Sequence, residues 1–241
     1  MRRIGQLTRM LSVVAVLAAI ALTITGCFVT PIEQSATVSP SEHLREGPQT
    51  ATLPSSDVEP VATNPPPRLP VTVDSLRYGK VTVTDVSRIV AVDLNGTLGT
   101  IVFSLGLGAN VVGRDMSTAF PSAAELPLVT NRGHTLNAEA VLALAPTILL
   151  VTDATVPQST VDQIRNSGVT VVVFPSARNL ASNDALIRSV ATSLGVAPQG
   201  AALAARTDAQ LAAARRLVPT PSGDPVMAFI YIRAVSYTHL T

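Results

Sequence analysis

One cysteine, no tryptophan and three histidines are all that this 241-residue chain has of the side chains most used to cross-link, stack or ligate. A single cysteine excludes an internal disulfide framework. With aromatics at 3%, the core has to be built from Val, Leu, Ile and Ala, and 47% hydrophobic residues are ample for that. A net charge of +1 without any basic run excludes an electrostatic grip on nucleic acid. A free-metal site needs three or four His or carboxylate ligands, and only His134 is well placed to be one. There is no Gly-x-Ser-x-Gly elbow to mark a hydrolase nucleophile, so no enzyme is expected. Gly106, Gly108 and Gly113 follow a helical pattern instead of a strand. They are helix-stop glycines, not a dinucleotide fingerprint.

What the chain does have begins at its N-terminus. Met1-Arg2-Arg3 gives a basic start, Leu11 to Ile24 is apolar, and Ile24-Thr25-Gly26-Cys27 closes the segment, so residues 1–27 read as a secretory signal. The closing tetrapeptide resembles the lipobox of bacterial lipoproteins. That likeness implies a lipidated Cys27 as mature N-terminus and a protein held at the extracytoplasmic face of the membrane. An uncleaved anchor with an incidental cysteine remains open. Residues 28–70 are rich in Pro, Ser, Thr and Glu, lack periodicity, and are expected to be a disordered tether that includes His43.

The folded part is expected from Val71. Val71-Thr72-Val73 and Val81-Thr82-Val83-Thr84 alternate around Tyr78-Gly79 as a hairpin. Arg88 to Asp93 is an apolar strand, a helix runs to about Leu107, and Asn110 to Gly113 is a second strand. A helix over Gln158–Asn166 and a strand over Val169–Phe174 continue the βαβα rhythm of a parallel sheet flanked by helices. The expected divisions are an α/β lobe over 71–180, an interlobe helical segment over 181–218 with helices at Asn183–Leu194 and Pro198–Leu217, and the first strand of a second α/β lobe over 219–233.

The centre of the chain is Asn131 to Leu150. A loop there carries His134, Asn137 is set to cap a helix that Pro146 ends, and Thr147 to Val151 is a buried strand. Loop ends of open parallel sheets favour ligands, so His134 stands out. A lone loop histidine is, by itself, more often merely solvated.

The order of lipobox, tether, hairpin, α/β lobe and long helix resembles the solute-binding proteins of ABC importers whose lobes are joined by a rigid helix. Ser87-Arg88-Ile89-Val90, Val111-Val112-Gly113 and Asn137-Ala138-Glu139 through Ala145-Pro146-Thr147 carry the likeness. Gly133-His134-Thr135-Leu136 and Tyr231-Ile232-Arg233 resemble, more narrowly, the haemin-binding lipoproteins of Gram-positive importers. That resemblance implies haem as transported ligand, His134 and Tyr231 as iron ligands from opposite lobes, and Arg233 supporting the tyrosine. It also implies permease docking through Glu139, with Arg114 and Ser117 as candidate propionate contacts in a loop that also holds Asp115. The implied partners are haemin and a permease with its ATPase, and the implied state is a monomer.

The residues make chemical sense apart from the family. Spacing of two on a strand puts Tyr231 and Arg233 on one face, roughly 6.6 Å apart. There a guanidinium favours a phenolate. The same scaffold carrying a ferric siderophore or cobalamin is the alternative, and it would need a cleft of aromatics or arginines. Ala234 to Thr241 departs from the family pattern and is expected to be a non-native tail. The chain is then truncated after the first strand of its second lobe, and as written it should bind haem weakly.

Overall fold

The computed structural model of this chain describes residues 55–131, 134–155 and 157–217. Cys27, the signal segment, Tyr231, Arg233, the strand expected over 219–233 and the tail from Ala234 lie outside them. So does the first part of the expected tether.

An antiparallel hairpin, β1 (Val71–Ser75) and β2 (Gly79–Val83), opens the fold as the alternation predicts. Four parallel strands follow: β3 (Ile89–Val92), β4 (Val111–Arg114), β5 (Ile148–Thr152) and β6 (Thr170–Phe174). Their order across the sheet is β4-β3-β5-β6, with Ile89 opposite both Val111 and Ile148. The helices are α1 (Thr97–Ser104), α2 (Ala138–Ala143), α3 (Gln158–Asn166), α4 (Leu180–Ser193) and α5 (Ala197–Leu217). The expected α/β sheet flanked by helices is what is found.

Both faces of the sheet are covered, which is why its strands are unbroken apolar runs. Ile89, Ala91, Ile148, Leu150, Val172 and Phe174 pack with α1, α4, α5 and the hairpin. The alternate residues Val90, Val92, Leu149, Val151, Val171 and Val173 pack with α2 and α3. Period-two alternation thus feeds two cores from one sheet.

Two elements differ from expectation. Helix α4 starts at Leu180, not Asn183, because Asn179 and Ser182 form a reciprocal cap. Ser182 N donates to Asn179 Oδ1 at 2.9 Å and Asn179 N donates to Ser182 Oγ at 3.0 Å. A serine in place of the usual Glu or Gln at the third helical position hides that box.

The second difference is the tether. Its last stretch, expected to be free as far as residue 70, is fastened to the core. Val58, Val61 and Leu69 pack on the first cluster. Val61 N donates to Ser104 O (2.8 Å), Asn64 N to Gly106 O (3.1 Å) and Arg68 N to Gly195 O (2.8 Å). These are carbonyls at the C-terminal ends of α1 and α4, which have no partners inside their own helices. Both helices end in a left-handed glycine, Gly106 (φ 89°) and Gly195 (φ 72°). The following amides bond back, Leu107 N to Val102 O and Val196 N to Ala191 O. A Cβ on Gly106 would collide with Ala62 O and one on Gly195 with the backbone of Arg68, so the strap needs glycine at both places.

Candidate functional site

The carboxyl ends of the parallel strands form one rim. The chain crosses from β4 to the far side of β3 to make β5, so the strand order reverses at this edge, the usual place for a ligand in open α/β sheets. Four loops build the rim, after β3, β4 and β6 and before α2.

Asp93 follows β3 and is buried. Its Oδ1 accepts from Leu98 N at 3.0 Å, in the first turn of α1, where Gly96 offers no capping side chain. Its Oδ2 lies 2.8 Å from Arg178 Nη1, in the loop after β6, with side-chain exposures of 2% and 21%. One carboxylate therefore caps a helix and joins the loop after β3 to the loop after the edge strand β6.

Asp115 follows β4 and is also fully buried. Its Oδ2 accepts from Asp93 N (2.9 Å) and its Oδ1 from Thr118 N (2.7 Å). Burial pushes this carboxyl above the ordinary carboxylate range, opposed by the two N–H groups that favour its charge. Asp115 thus fastens the β3 and β4 loops together from inside. Gly96 (φ 69°) completes the clasp, since a Cβ there would stand 2.7 Å from the Ser117 carbonyl carbon.

Arg114 closes β4 and is half-buried. Its Nη1 donates to Asp115 O and Thr118 O (3.3 Å each) and its Nη2 to Ala124 O (2.9 Å). Ser117 Oγ donates to Leu94 O at 2.7 Å. Both candidate propionate residues thus sit on the rim, each occupied in bracing it.

His134 stands in the loop before α2. Thr130 pairs with Leu136 across the loop mouth, Asn131 N donates to Thr135 O (2.8 Å), and His134 N donates to Asn131 O (3.2 Å). His134 itself stands at φ 64°, in the left-handed region that few non-glycine residues adopt and histidine adopts more readily than most. The ring is half-buried, and Nδ1 is buried without a hydrogen-bond partner among the described residues. Met116 N donates to Thr130 Oγ1 at 3.2 Å, tying the histidine loop to the β4 loop. Asn137 Oδ1 accepts from Ala140 N at 3.2 Å, the cap read from the sequence, and Glu139 is exposed in the first turn of α2.

Among the described residues the rim gathers most of the unsatisfied polarity. Arg114 Nε, Thr118 Oγ1, His134 Nδ1 and Arg178 Nε and Nη1 are buried without a hydrogen-bond partner among the described residues; Asp184 Oδ1 on α4 is the remaining such atom. The Arg178 Nη1 contact with Asp93 is therefore an ion pair that is not aligned as a hydrogen bond. Such groups are costly in a core and characteristic of a site. Among the described residues no group of three His, Cys, Asp or Glu could hold a free metal ion. Asp93, Arg178 and the apolar rim residues Leu94 and Met116 were not legible as site residues. An aspartate ending a strand before an Asn-Gly turn is the one signal that could have drawn attention to Asp93.

Comparison with known proteins agrees with this fold. Residues 89–239 match the family described as "Periplasmic binding protein", and the chain belongs to that family. The match runs past Arg233 into the stretch set aside as a tail. The solved heme binding protein HmuT is 40% identical, with a TM-score of 0.65 over 68% of this chain and 54% of that one. Structures of HmuT in which an arginine, a histidine or a tyrosine is altered match over the same 68% of this chain. The heme-binding protein RhuT from Roseiflexus sp. RS-1, in apo form, is 37% identical with a TM-score of 0.51, over 57% of this chain and 53% of that one. The chain spans about half the length of these relatives. No curated protein is matched. The family is one of binding proteins.

Proposed function

We propose that the protein captures haemin outside the cytoplasmic membrane and hands it to an ABC permease. The observation that carries this reading is His134, held in a left-handed turn on the strand-end rim of a lobe similar to that of heme binding protein HmuT. An imidazole on a backbone held by the bond from His134 N to Asn131 O suits axial ligation of iron, a common histidine role in haem proteins. Tyr231, supported by Arg233, is the proposed ligand from the other side, its phenolate favoured by the neighbouring guanidinium. Burying about 300 Å² of macrocycle would contribute roughly 7 kcal/mol before association costs, enough to make an apolar crevice the main source of affinity.

The test is a haemin titration of the full-length protein followed at the Soret band. The unchanged protein should shift the band, and His134→Ala and Tyr231→Ala should each abolish or alter the shift. Identical spectra for all three proteins would remove the axial-ligand assignment, and a siderophore or cobalamin would become the better reading. A propionate contact from Arg114 or Ser117 would require either to release bonds it makes to the loop. The remaining proposals are a lipid anchor at Cys27, a monomeric state and permease docking through Glu139. Cys27→Ser should release the protein from membranes, and Glu139→Lys should cut haem uptake by cells while leaving haemin affinity unchanged; the reverse pattern would sink them.

A further inference from the structure

Two of the six large apolar side chains left exposed among the described residues, Leu94 and Met116, stand just beyond the carboxyl ends of β3 and β4. Leu94 is 45% and Met116 41% exposed. They lie on different loops, but the backbone brings those loops together. Ser117, next to Met116, donates to the carbonyl of Leu94, and Met116 N bonds Thr130, one residue before the turn that carries His134. Asp115, between β4 and Met116, holds Asp93, next to Leu94, through its amide. Leu94 is thus next in sequence to a residue that the buried carboxylate fixes, Met116 is next to the residue that bears that carboxylate, and both share a rim with the imidazole.

We propose that Leu94 and Met116 form an apolar bed for one face of a porphyrin, so that they hold the macrocycle while His134 addresses its metal. The inference rests on the haem reading and adds residues to it. A flat ring needs contact over area, not a few directed bonds, and a flexible, polarisable thioether beside a branched aliphatic group supplies that contact. The bed stays in place without a ligand because Asp115 and Gly96 fix its loops from below.

The experiment compares haemin with metal-free protoporphyrin IX, which has the same ring and no iron for a histidine to bind. Full-length protein, Leu94→Ser, Met116→Ser, Met116→Leu and His134→Ala are titrated with both, and a thermal melt of each variant checks folding. Each serine variant should weaken both ligands by about five- to tenfold, the scale of one apolar side chain withdrawn from contact. Met116→Leu should restore both, and His134→Ala should weaken haemin far more than protoporphyrin. Serine variants that bind both ligands like the unchanged protein would overturn the bed while leaving the haem reading intact, as would haemin binding without any protoporphyrin binding. Failure of the unchanged protein to bind either would refute the haem reading and the bed with it.

Discussion

Two aspartates of this fold are held in opposite ways. Asp115, at the rim, is buried with two backbone amides and, among the described residues, no ion pair on its carboxyl, so its charge is kept at a cost. Asp162, on α3 at the outer surface, accepts from the Tyr78 hydroxyl at 2.6 Å and from Arg77 Nη2 at 2.9 Å, and Arg165 lies 4.7 Å from the centre of the Tyr78 ring. There the charge is shared among several partners in water, and its carboxyl is held below the ordinary range, first by the tyrosine and then by the arginine. The outer cluster clips the hairpin tip to α3 and leaves its groups satisfied. The rim concentrates burial and unpaired polar atoms in one place, as expected of a part shaped for a ligand and not for stability.

The largest effect that would separate the two regions is at the buried ion pair. Arg178→Ala leaves Asp93 buried without its cation and should cost about 3 kcal/mol in chemical denaturation. Arg77→Ala, at the exposed pair with Asp162, should move the midpoint little. Equal effects would mean that the rim pair is no more buried in function than the surface one.

Acid should act on the two aspartates with opposite sign. The folded pKa of Asp115 is raised, so its contribution to stability is fully present below about 3.8 and is lost as pH rises through the folded value. That of Asp162 is lowered, so its contribution is present above 3.8 and is lost as pH falls through the folded value. Stability profiles of Asp115→Asn and Asp162→Asn, each subtracted from that of the unchanged protein, should slope in opposite directions in acid. Parallel profiles would erase the distinction. The smallest effect is expected for Tyr78→Phe, which removes one hydrogen bond but keeps the ring under Arg165. It should lower the melting temperature by about 1–3 °C.

Periodicity made the sheet legible. Ile148 to Val151 and Val171 to Phe174 are apolar at every position, which only a doubly covered parallel strand requires, and Asn137 announces its helix by its own side chain. The strap over 58–69 was not legible, because what holds it are backbone amides lent to helix ends, a use that no side-chain pattern records. At the candidate site, His134 stands out from its loop and its family likeness. Arg178 could not, since its partner lies 85 residues earlier, and the outward-facing Leu94 and Met116 look in sequence like any other core residue.

The strap also decides how the lobe would take a mechanical load. A pull entering at Ser55 would meet, one after another, the amides of Val61, Asn64 and Arg68 before it reached β1. Bonds loaded singly and in sequence peel at low force, so this stretch would give way like a tear strip while the four-stranded sheet and the histidine turn stayed intact.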